Sequence, residues 1–347
     1  MNQDFPLTLT YDDVLLVPQY SEVNSRSDID LSTQISPKIK LKMPLISTKM
    51  DTVTGVEMAI ALGKMGSFAI LPRFESITSQ ANKVRKVKSH NVLTAAAIGI
   101  KDDYIDRAQA LVNSGADIIN IDVAHGHLKK TIEATAAIKQ IFGDKITLLA
   151  GITSTYECAV DLYTAGADCL LVGVGAGATC TTRIQTGHGV PSITSLLETS
   201  RAAKKFKKTF MPDAGMRNSG DVVKALATGA CAVVSGRLFA GAKETPPKIE
   251  VINGKKYKQY NGSASLKEKQ KHSVKSDNYT NHIEGASGYV AYAGPVSDIV
   301  ESLLAGIRSG LSYSGATSIK DLHKKAKFVR ITRSGSIENG HHDILIA

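Results

Sequence analysis

Short apolar runs alternate with helix-like stretches along most of the chain. Eight such runs occur, at residues 43–47, 68–72, 93–99, 118–122, 147–151, 169–173, 209–213 and 232–236. Each run is too short for a buried helix, and its composition is typical of a strand covered on both faces. Strands that alternate with helices favour a parallel sheet, and eight such units favour closure into an α/β fold of the (β/α)8 TIM barrel type.

A three-residue motif recurs just before three of these strands. Gly-Ala-Asp occupies residues 115–117 and 166–168, and Gly-Ala-Cys occupies residues 229–231. Each glycine can end the preceding helix in a left-handed turn, a conformation that side chains disfavour. The recurrence supports a fold built from similar strand and helix units.

Two segments fall outside this repeat: residues 1–40, and an insertion at about 243–294 that follows the eighth strand. The active site of a barrel lies at the carboxyl ends of its strands, so this insertion is expected beside the active site. Its content of Lys, Ser, Asn and Gly predicts a mobile flap, with residues 262–288 mobile in the free protein. The whole chain, 1–347, is expected to form one catalytic domain.

The composition indicates a globular protein of the cytoplasm. The chain has 347 residues, 43% of them hydrophobic, which is enough for a large core. Neither a signal peptide nor about 18 uninterrupted apolar residues is present, so no membrane partner is expected. The four cysteines include no CxxC pair, which argues against a disulfide framework and fits a reducing compartment.

The net charge of +10 is compatible with nucleic acid, a membrane surface or small anionic substrates. The basic residues concentrate at 204–208 and 255–275, and aromatic residues make up only 5% of the chain. Since no platform of interleaved aromatic and basic residues occurs, nucleic acid is not an expected partner. A solvated helix face and a basic loop account for these clusters.

The loop after the sixth predicted strand, residues 173–183, carries three glycines ahead of Cys180. Glycines let the backbone approach a ligand or an ion closely. Cys180 lies on this polar loop, whereas Cys158, Cys169 and Cys231 lie within helix or strand patterns that favour core packing. Cys180 is therefore the candidate nucleophile.

Glycine-containing turns end the seventh and eighth predicted strands, at residues 213–215 and 235–237. Many barrels bind a phosphate on backbone amides at this place, so a phosphorylated substrate is expected. The end of the fourth strand carries Asp122, His125 and His127, a spacing that could suit a metal. No third ligand is evident, so metal catalysis is not expected.

Several segments together resemble the IMP dehydrogenase and GMP reductase family. They are the run LTYDDVLLVP at 9–18, MDTVT at 50–54, IDVAHGH at 121–127, the Cys180 loop and the two glycine turns. They occur in the order of the family and extend over nearly the whole chain. The resemblance implies a TIM-barrel enzyme that acts on a purine nucleotide.

The resemblance also implies a mechanism. The Cys180 thiolate would attack C2 of the purine and form a covalent thioimidate, while a hydride is exchanged with a nicotinamide cofactor. Thr182 would assist proton transfer, and Asp213 would hold the ribose hydroxyls. Further expected contacts are Gly215, Gly236, Arg237, Tyr260, Gly262 and Ser263 to the substrate, and Asp122, Ala124 and His125 to the cofactor. Backbone carbonyls of Gly175, Gly177 and Cys180 would hold K+, and the assembly would be a homotetramer.

Other positions bear on the direction of the reaction. Dehydrogenases of the family usually carry CBS modules after the second strand, whereas this chain continues directly from residues 68–73 to the next helix. Their water-activating Arg-Tyr pair aligns with His272 and Ser273. Reductases carry a glutamate where this chain has Leu266, so Glu268 is the predicted acid. The tail at 327–343 and residues 284–290 look more like a dehydrogenase.

These positions favour a GMP reductase in which NADPH reduces GMP to IMP with release of ammonia, with Cys180, Thr182 and Glu268 as catalytic residues. One alternative is an IMP dehydrogenase that oxidises IMP to XMP with NAD. Another is a related purine-nucleotide oxidoreductase, suggested by Ala178, Ala214 and Ile152 where the family has serine, glycine and asparagine. A nucleotide sensor without catalysis is the remaining alternative.

Overall fold

The structure is a computed structural model that describes residues 5–272 and 283–340. Its strands are β1 (Val14–Leu16), β2 (Thr33–Ser36), β3 (Ile39–Leu41), β4 (Leu45–Ser47), β5 (Ile70–Leu71), β6 (Ala95–Ile98), β7 (Ile118–Asp122), β8 (Thr147–Thr153), β9 (Cys169–Val172), β10 (Thr209–Pro212), β11 (Val233–Ser235), β12 (Ile249–Ile252), β13 (Lys255–Asn261), β14 (Ser287–Ala291) and β15 (Phe328–Arg330). Its α-helices are α1 (Val56–Lys64), α2 (Ile77–Lys88), α3 (Tyr104–Asn113), α4 (Lys129–Phe142), α5 (Tyr156–Thr164), α6 (Thr182–Thr186), α7 (Ser192–Phe206), α8 (Ser219–Ala227), α9 (Leu266–His272), α10 (Val296–Tyr313), α11 (Ile319–Lys325) and α12 (Arg333–Ile337).

The strands β4 to β11 form a closed parallel barrel. Strands β5 to β10 pair with their neighbours in chain order, and β11 pairs in parallel with β4. Single bridges, Ser47 to Ala69 and Asp213 to Val234, join these two groups. Each of the eight predicted runs coincides with one of these strands, although β8 extends two residues beyond its run. A helix follows each strand, so the predicted (β/α)8 barrel is confirmed.

Burial explains why short apolar runs form these strands. Every residue of β6 and of β8 is buried, because one face points into the barrel and the other packs under the helices. The helices end where the recurring motif predicts. Gly115, Gly166 and Gly229 have φ values of +99°, +107° and +105°, which lie in the region that favours glycine.

Two hydrophobic cores result. The larger core lies between strands and helices and includes Leu71, Leu148 and Phe210. The smaller core fills the barrel interior, and Ile35 and Leu41 of the β2–β3 hairpin belong to it. The hairpin therefore supplies apolar side chains to the barrel interior, and β1 pairs with β15 to join the two ends of the described chain.

The insertion after β11 contains a three-stranded antiparallel sheet of β12, β13 and β14, and the helix α9. The buried Lys258 secures its base, because the ammonium donates to the carbonyls of Lys243 (3.2 Å), Thr245 (3.0 Å) and Pro247 (2.5 Å). Its mobility stays a prediction, and residues 273–282 lie outside the described part. Within the described ranges, no helix is long and apolar enough to cross a membrane.

Candidate active site

A cavity of about 350 Å³ opens at the carboxyl ends of the barrel strands. Its walls come from the loops after β4, β5, β7, β9, β10 and β11, and from the insertion. Of the predicted site residues, the lining includes Cys180, Thr182, Asp213, Gly236, Tyr260, Gly262, Ser263, Asp122, Ala124, Gly175 and Gly177. Four other predicted residues lie within the described ranges but do not line the cavity: Glu268, Gly215, Arg237 and His125.

Cys180 begins a short chain of hydrogen bonds. The half-buried Cys180 Sγ lies 3.2 Å from Thr182 Oγ1, and this hydroxyl donates to Glu284 Oε2 at 2.6 Å. Thr182 is the first residue of α6 and is buried. A hydroxyl that accepts from a thiol and donates to a carboxylate can pass a proton from one to the other. Glu284 also lines the cavity.

Backbone pairing holds Glu284 beside the cysteine loop. Cys180 forms an antiparallel bridge with Gly285, and the amide of Thr181 donates to the carbonyl of Glu284 at 3.1 Å. Gly262 approaches this bridge so closely that a Cβ there would lie 3.1 Å from Gly285 Cα. The insertion and the cysteine loop therefore form one wall of the cavity.

A cluster of two cations and two carboxylates forms another wall. The ammonium of Lys49 contacts the Asp213 carboxylate and lies 3.3 Å from Asp122 Oδ1. Arg73 Nε lies 3.6 Å from Asp122 Oδ2, and Thr48 Oγ1 lies 3.3 Å from Asp213 Oδ1. Burial lowers the pKa of Lys49, but the nearby Asp213 and Asp122 carboxylates outweigh it and hold this pKa above its usual value. Lys49 is therefore charged at neutral pH.

The two glycine turns are placed differently from each other. Gly236 lines the cavity, and a Cβ there would lie 2.8 Å from the Tyr260 hydroxyl. Gly215 itself does not line the cavity, and a Cβ there would meet Tyr11 and Ser192, each at 3.3 Å. The side chain of Arg237 is exposed to solvent. Of the two predicted phosphate turns, the one after β11 thus contributes its glycine to the cavity wall.

Tyr260 reaches the cavity from the end of β13 and is 5% exposed. Burial raises the pKa of Tyr260 to about 12, against smaller lowering contributions from Thr179 and Arg237. The hydroxyl is therefore protonated at neutral pH and can donate a hydrogen bond to a ligand.

Only some of the residues predicted to bind the cofactor line the cavity. Asp122 and Ala124 line the cavity, whereas His125 is exposed outside it. The carbonyl oxygen of Gly177 accepts a hydrogen bond from the Cys180 amide at 3.0 Å. Its second lone pair can still bind a cation. Binding of K+ by Gly175, Gly177 and Cys180 stays a prediction.

Glu268, the acid predicted from the sequence, lies on α9 and is buried. Its carboxylate accepts a hydrogen bond from Asn261 Nδ2 at 2.6 Å, and it is not among the residues that line the cavity. The structure places Glu284, and not Glu268, against Thr182. Ser273 and the tail residues 341–343 lie outside the described residues.

Lys49 and Glu284 are two charged residues of the site to which sequence reasoning gave no role. Lys49 directly precedes the MDTVT segment, where a charged residue inside an apolar strand end could have indicated a buried ion pair. Glu284 lies in the segment 284–290 that resembles a dehydrogenase, but the sequence gave it no role, because its place depends on the bridge between the insertion and the Cys180 loop.

The fold and the site define a class: a TIM barrel with a thiol and a carboxylate, linked by a threonine hydroxyl, in a cavity at the carboxyl ends of its strands. Residues 8–342 match the IMP dehydrogenase / GMP reductase domain. The chain belongs to this family of purine-nucleotide oxidoreductases.

Curated relatives agree with this membership. An inosine-5'-monophosphate dehydrogenase of Borreliella burgdorferi is 37% identical over 393 aligned residues, which include 97% of each chain. The enzyme of the same name from Nitrosopumilus maritimus is 31% identical over 475 residues, with 99% of this chain and 100% of the relative covered. That from Streptococcus pyogenes is 32% identical, with 97% and 95% covered.

The aligned length of 475 residues exceeds the 347 residues of this chain, so that relative carries segments that this chain lacks. Here β5 ends at Leu71 and α2 begins at Ile77. A connection this short holds no additional module, as the sequence predicted for this position.

Proposed function

We propose that this protein oxidises IMP to XMP through a covalent adduct on Cys180. The observation that carries the proposal is the chain of hydrogen bonds from Cys180 through Thr182 to Glu284 at the wall of the cavity. The names of the relatives favour this direction over the GMP reduction that the sequence motifs favoured.

The residues of the chain account for the steps at C2. The Cys180 thiol gives its proton to Thr182, whose own proton passes to Glu284, and the thiolate then adds to C2 of the purine. A nicotinamide held beside Asp122 and Ala124 would supply the acceptor for the hydride that C2 loses. The product of this step is a thioimidate on Cys180. After Glu284 has released its proton, water adds to C2 while Thr182 and Glu284 accept a proton, and the sulfur leaves as thiolate.

The lining of the cavity includes residues predicted for both ligands. Its volume of about 350 Å³ lies in the range of small-molecule sites. Its lining includes the predicted substrate residues Asp213, Gly236 and Tyr260, and also Asp122 and Ala124 on the predicted cofactor side. These residues would hold a nucleotide and a nicotinamide next to Cys180.

GMP reduction is the second candidate, and the same Glu284 favours it. A protonated Glu284 could return a proton through Thr182 to an amine that leaves C2. NADPH would then supply a hydride to C2, and the thiolate would leave to give IMP. The predicted acid of this reaction was Glu268, which accepts a hydrogen bond from Asn261 in the structure.

A paired assay separates the candidates. The purified protein is incubated with IMP and NAD, and separately with GMP and NADPH, while the absorbance of the reduced nicotinamide is followed. We expect NADH to form in the first mixture, with XMP identified by mass. Consumption of NADPH with release of ammonia in the second mixture alone would establish the reductase. Cys180→Ala serves as the control for both, since it deletes the nucleophile.

A further inference from the structure

Lys49 lies between two parts of the cavity to which different ligands have been assigned. Its side chain follows β4 and is 7% exposed. The ammonium contacts Asp213, the proposed ribose residue, and Asp122, on the proposed cofactor side. Two carboxylates from opposite sides thus fix the position of one cation.

One N–H group of the Lys49 ammonium is available for a ligand. A lysine ammonium carries three N–H groups, and Asp213 and Asp122 account for two of them. Within the described part of the chain, no third acceptor contacts it. Since Lys49 lines the cavity, a bound molecule can accept the remaining N–H.

Asp213 keeps free acceptor capacity at the same place. Lys49 contacts its Oδ2, and Thr48 donates to its Oδ1 at 3.3 Å. Each carboxylate oxygen has two lone pairs, so each can accept one more hydrogen bond. An acceptor on Asp213 beside a donor on Lys49 matches a hydroxyl group, which donates one hydrogen bond and accepts another.

We propose that Lys49 binds a ribose hydroxyl of the purine nucleotide and acts with Asp213 as a donor and acceptor pair that selects ribose over deoxyribose. The proposal deepens the proposed function, because it takes Asp213 as the ribose residue. Lys49 donates to the hydroxyl oxygen, and the hydroxyl donates to Asp213. Asp122 keeps the ammonium in place when the nucleotide binds.

The experiment measures the dissociation constants of IMP, 2'-deoxy-IMP and 3'-deoxy-IMP by calorimetry, without cofactor. For the wild-type protein, loss of the contacted hydroxyl should weaken binding about tenfold or more, as expected when a buried charged donor loses its partner. The deoxy-to-ribo ratio is the dissociation constant of the deoxy nucleotide divided by that of IMP. In Lys49→Met this ratio should fall by about tenfold, since the donor is gone for both ligands.

Arg73→Met is the matched control. It also removes a cation beside Asp122, but Arg73 does not contact Asp213, so the deoxy-to-ribo ratio should stay as in the wild type. Lys49→Arg is a second variant that keeps the test valid if Lys49→Met does not fold, because arginine keeps a positive charge between the two carboxylates. Its planar donors point elsewhere than those of an ammonium, so its ratio should fall as well.

Two results would overturn the proposal. If Lys49→Met weakens IMP and both deoxy forms by the same factor, Lys49 contributes to binding without contacting a ribose hydroxyl. If the ratio is unchanged in both Lys49 variants while IMP binds normally, Lys49 has no role in ribose selection and the proposed function is untouched. Wild-type protein that binds neither IMP nor GMP would remove the proposed function itself, and this inference with it.

Discussion

The Thr182 hydroxyl donates a 2.6 Å hydrogen bond to the carboxylate of Glu284, although 102 positions separate the two residues in the chain. We expect Glu284→Gln to lower turnover at least tenfold, because the amide cannot accept the proton that Thr182 delivers. Nucleotide affinity should change little. Steady-state rates and calorimetric affinities of the same preparation check both parts.

Glu268→Gln is the comparison variant for this test. In the wild type, the Glu268 carboxylate accepts a hydrogen bond from Asn261 and does not line the cavity. The turnover of Glu268→Gln should therefore fall less than that of Glu284→Gln. The reverse order of the two rates would restore Glu268 as the acid that the sequence predicts.

Cys180→Ala should abolish turnover and leave nucleotide affinity within about threefold of the wild type, because it removes the nucleophile and little volume. Quenched mixtures of the wild-type protein with substrate should also contain an adduct on Cys180, detectable by mass spectrometry of the intact chain. Residual activity of the alanine variant near the wild-type rate would exclude the covalent mechanism.

Ala214 adopts a φ of +85°, a conformation that its side chain disfavours. Ala214→Gly should therefore raise the free energy of unfolding by about 1 kcal/mol, since glycine relieves this strain at a small entropic cost. Urea denaturation measures the change. Because the Ala214 amide donates to the Val234 carbonyl in either variant, the barrel should stay closed. A loss of stability would show that the methyl contacts outweigh the strain.

Burial raises the pKa of Cys158 to about 11; a bond to Thr153 opposes this shift, and Asp161 adds to it. A group whose pKa is raised by folding stabilises the protein below its unfolded pKa, and this contribution is lost as the pH rises toward the folded value. At about pH 10 the wild type should have lost about 1 kcal/mol through this thiol. Cys158→Ala should lose correspondingly less between neutral pH and pH 10, measured by urea denaturation. Equal losses in both proteins would exclude the thiol as the cause.

The barrel could be predicted from sequence because its signal is local. Each strand is a contiguous apolar run, and turns such as that at Gly166 need only one residue with a positive φ. The candidate nucleophile could also be predicted, since Cys180 lies in a glycine-rich loop. These features depend on neighbouring residues, which the sequence displays directly.

The partners of these residues depend on closure of the fold. Lys49 meets Asp213 only because β4 and β10 end at the same face of the barrel, 164 positions apart in the chain. Glu284 meets Thr182 because the insertion pairs with the cysteine loop. Glu268 was predicted by its distance along the chain from a turn, and such a distance does not fix which side of α9 faces the cavity.

The unequal exposure of the four cysteines allows the working sites of a preparation to be counted. Cys158, Cys169 and Cys231 are buried, and Cys180 is half-buried at the cavity. A small alkylating reagent should therefore add one group per folded chain, at Cys180. Bound substrate should protect the Cys180 thiol from the reagent. The mass of the product then reports the fraction of chains with an intact site, and a covalent inhibitor would meet a single accessible thiol.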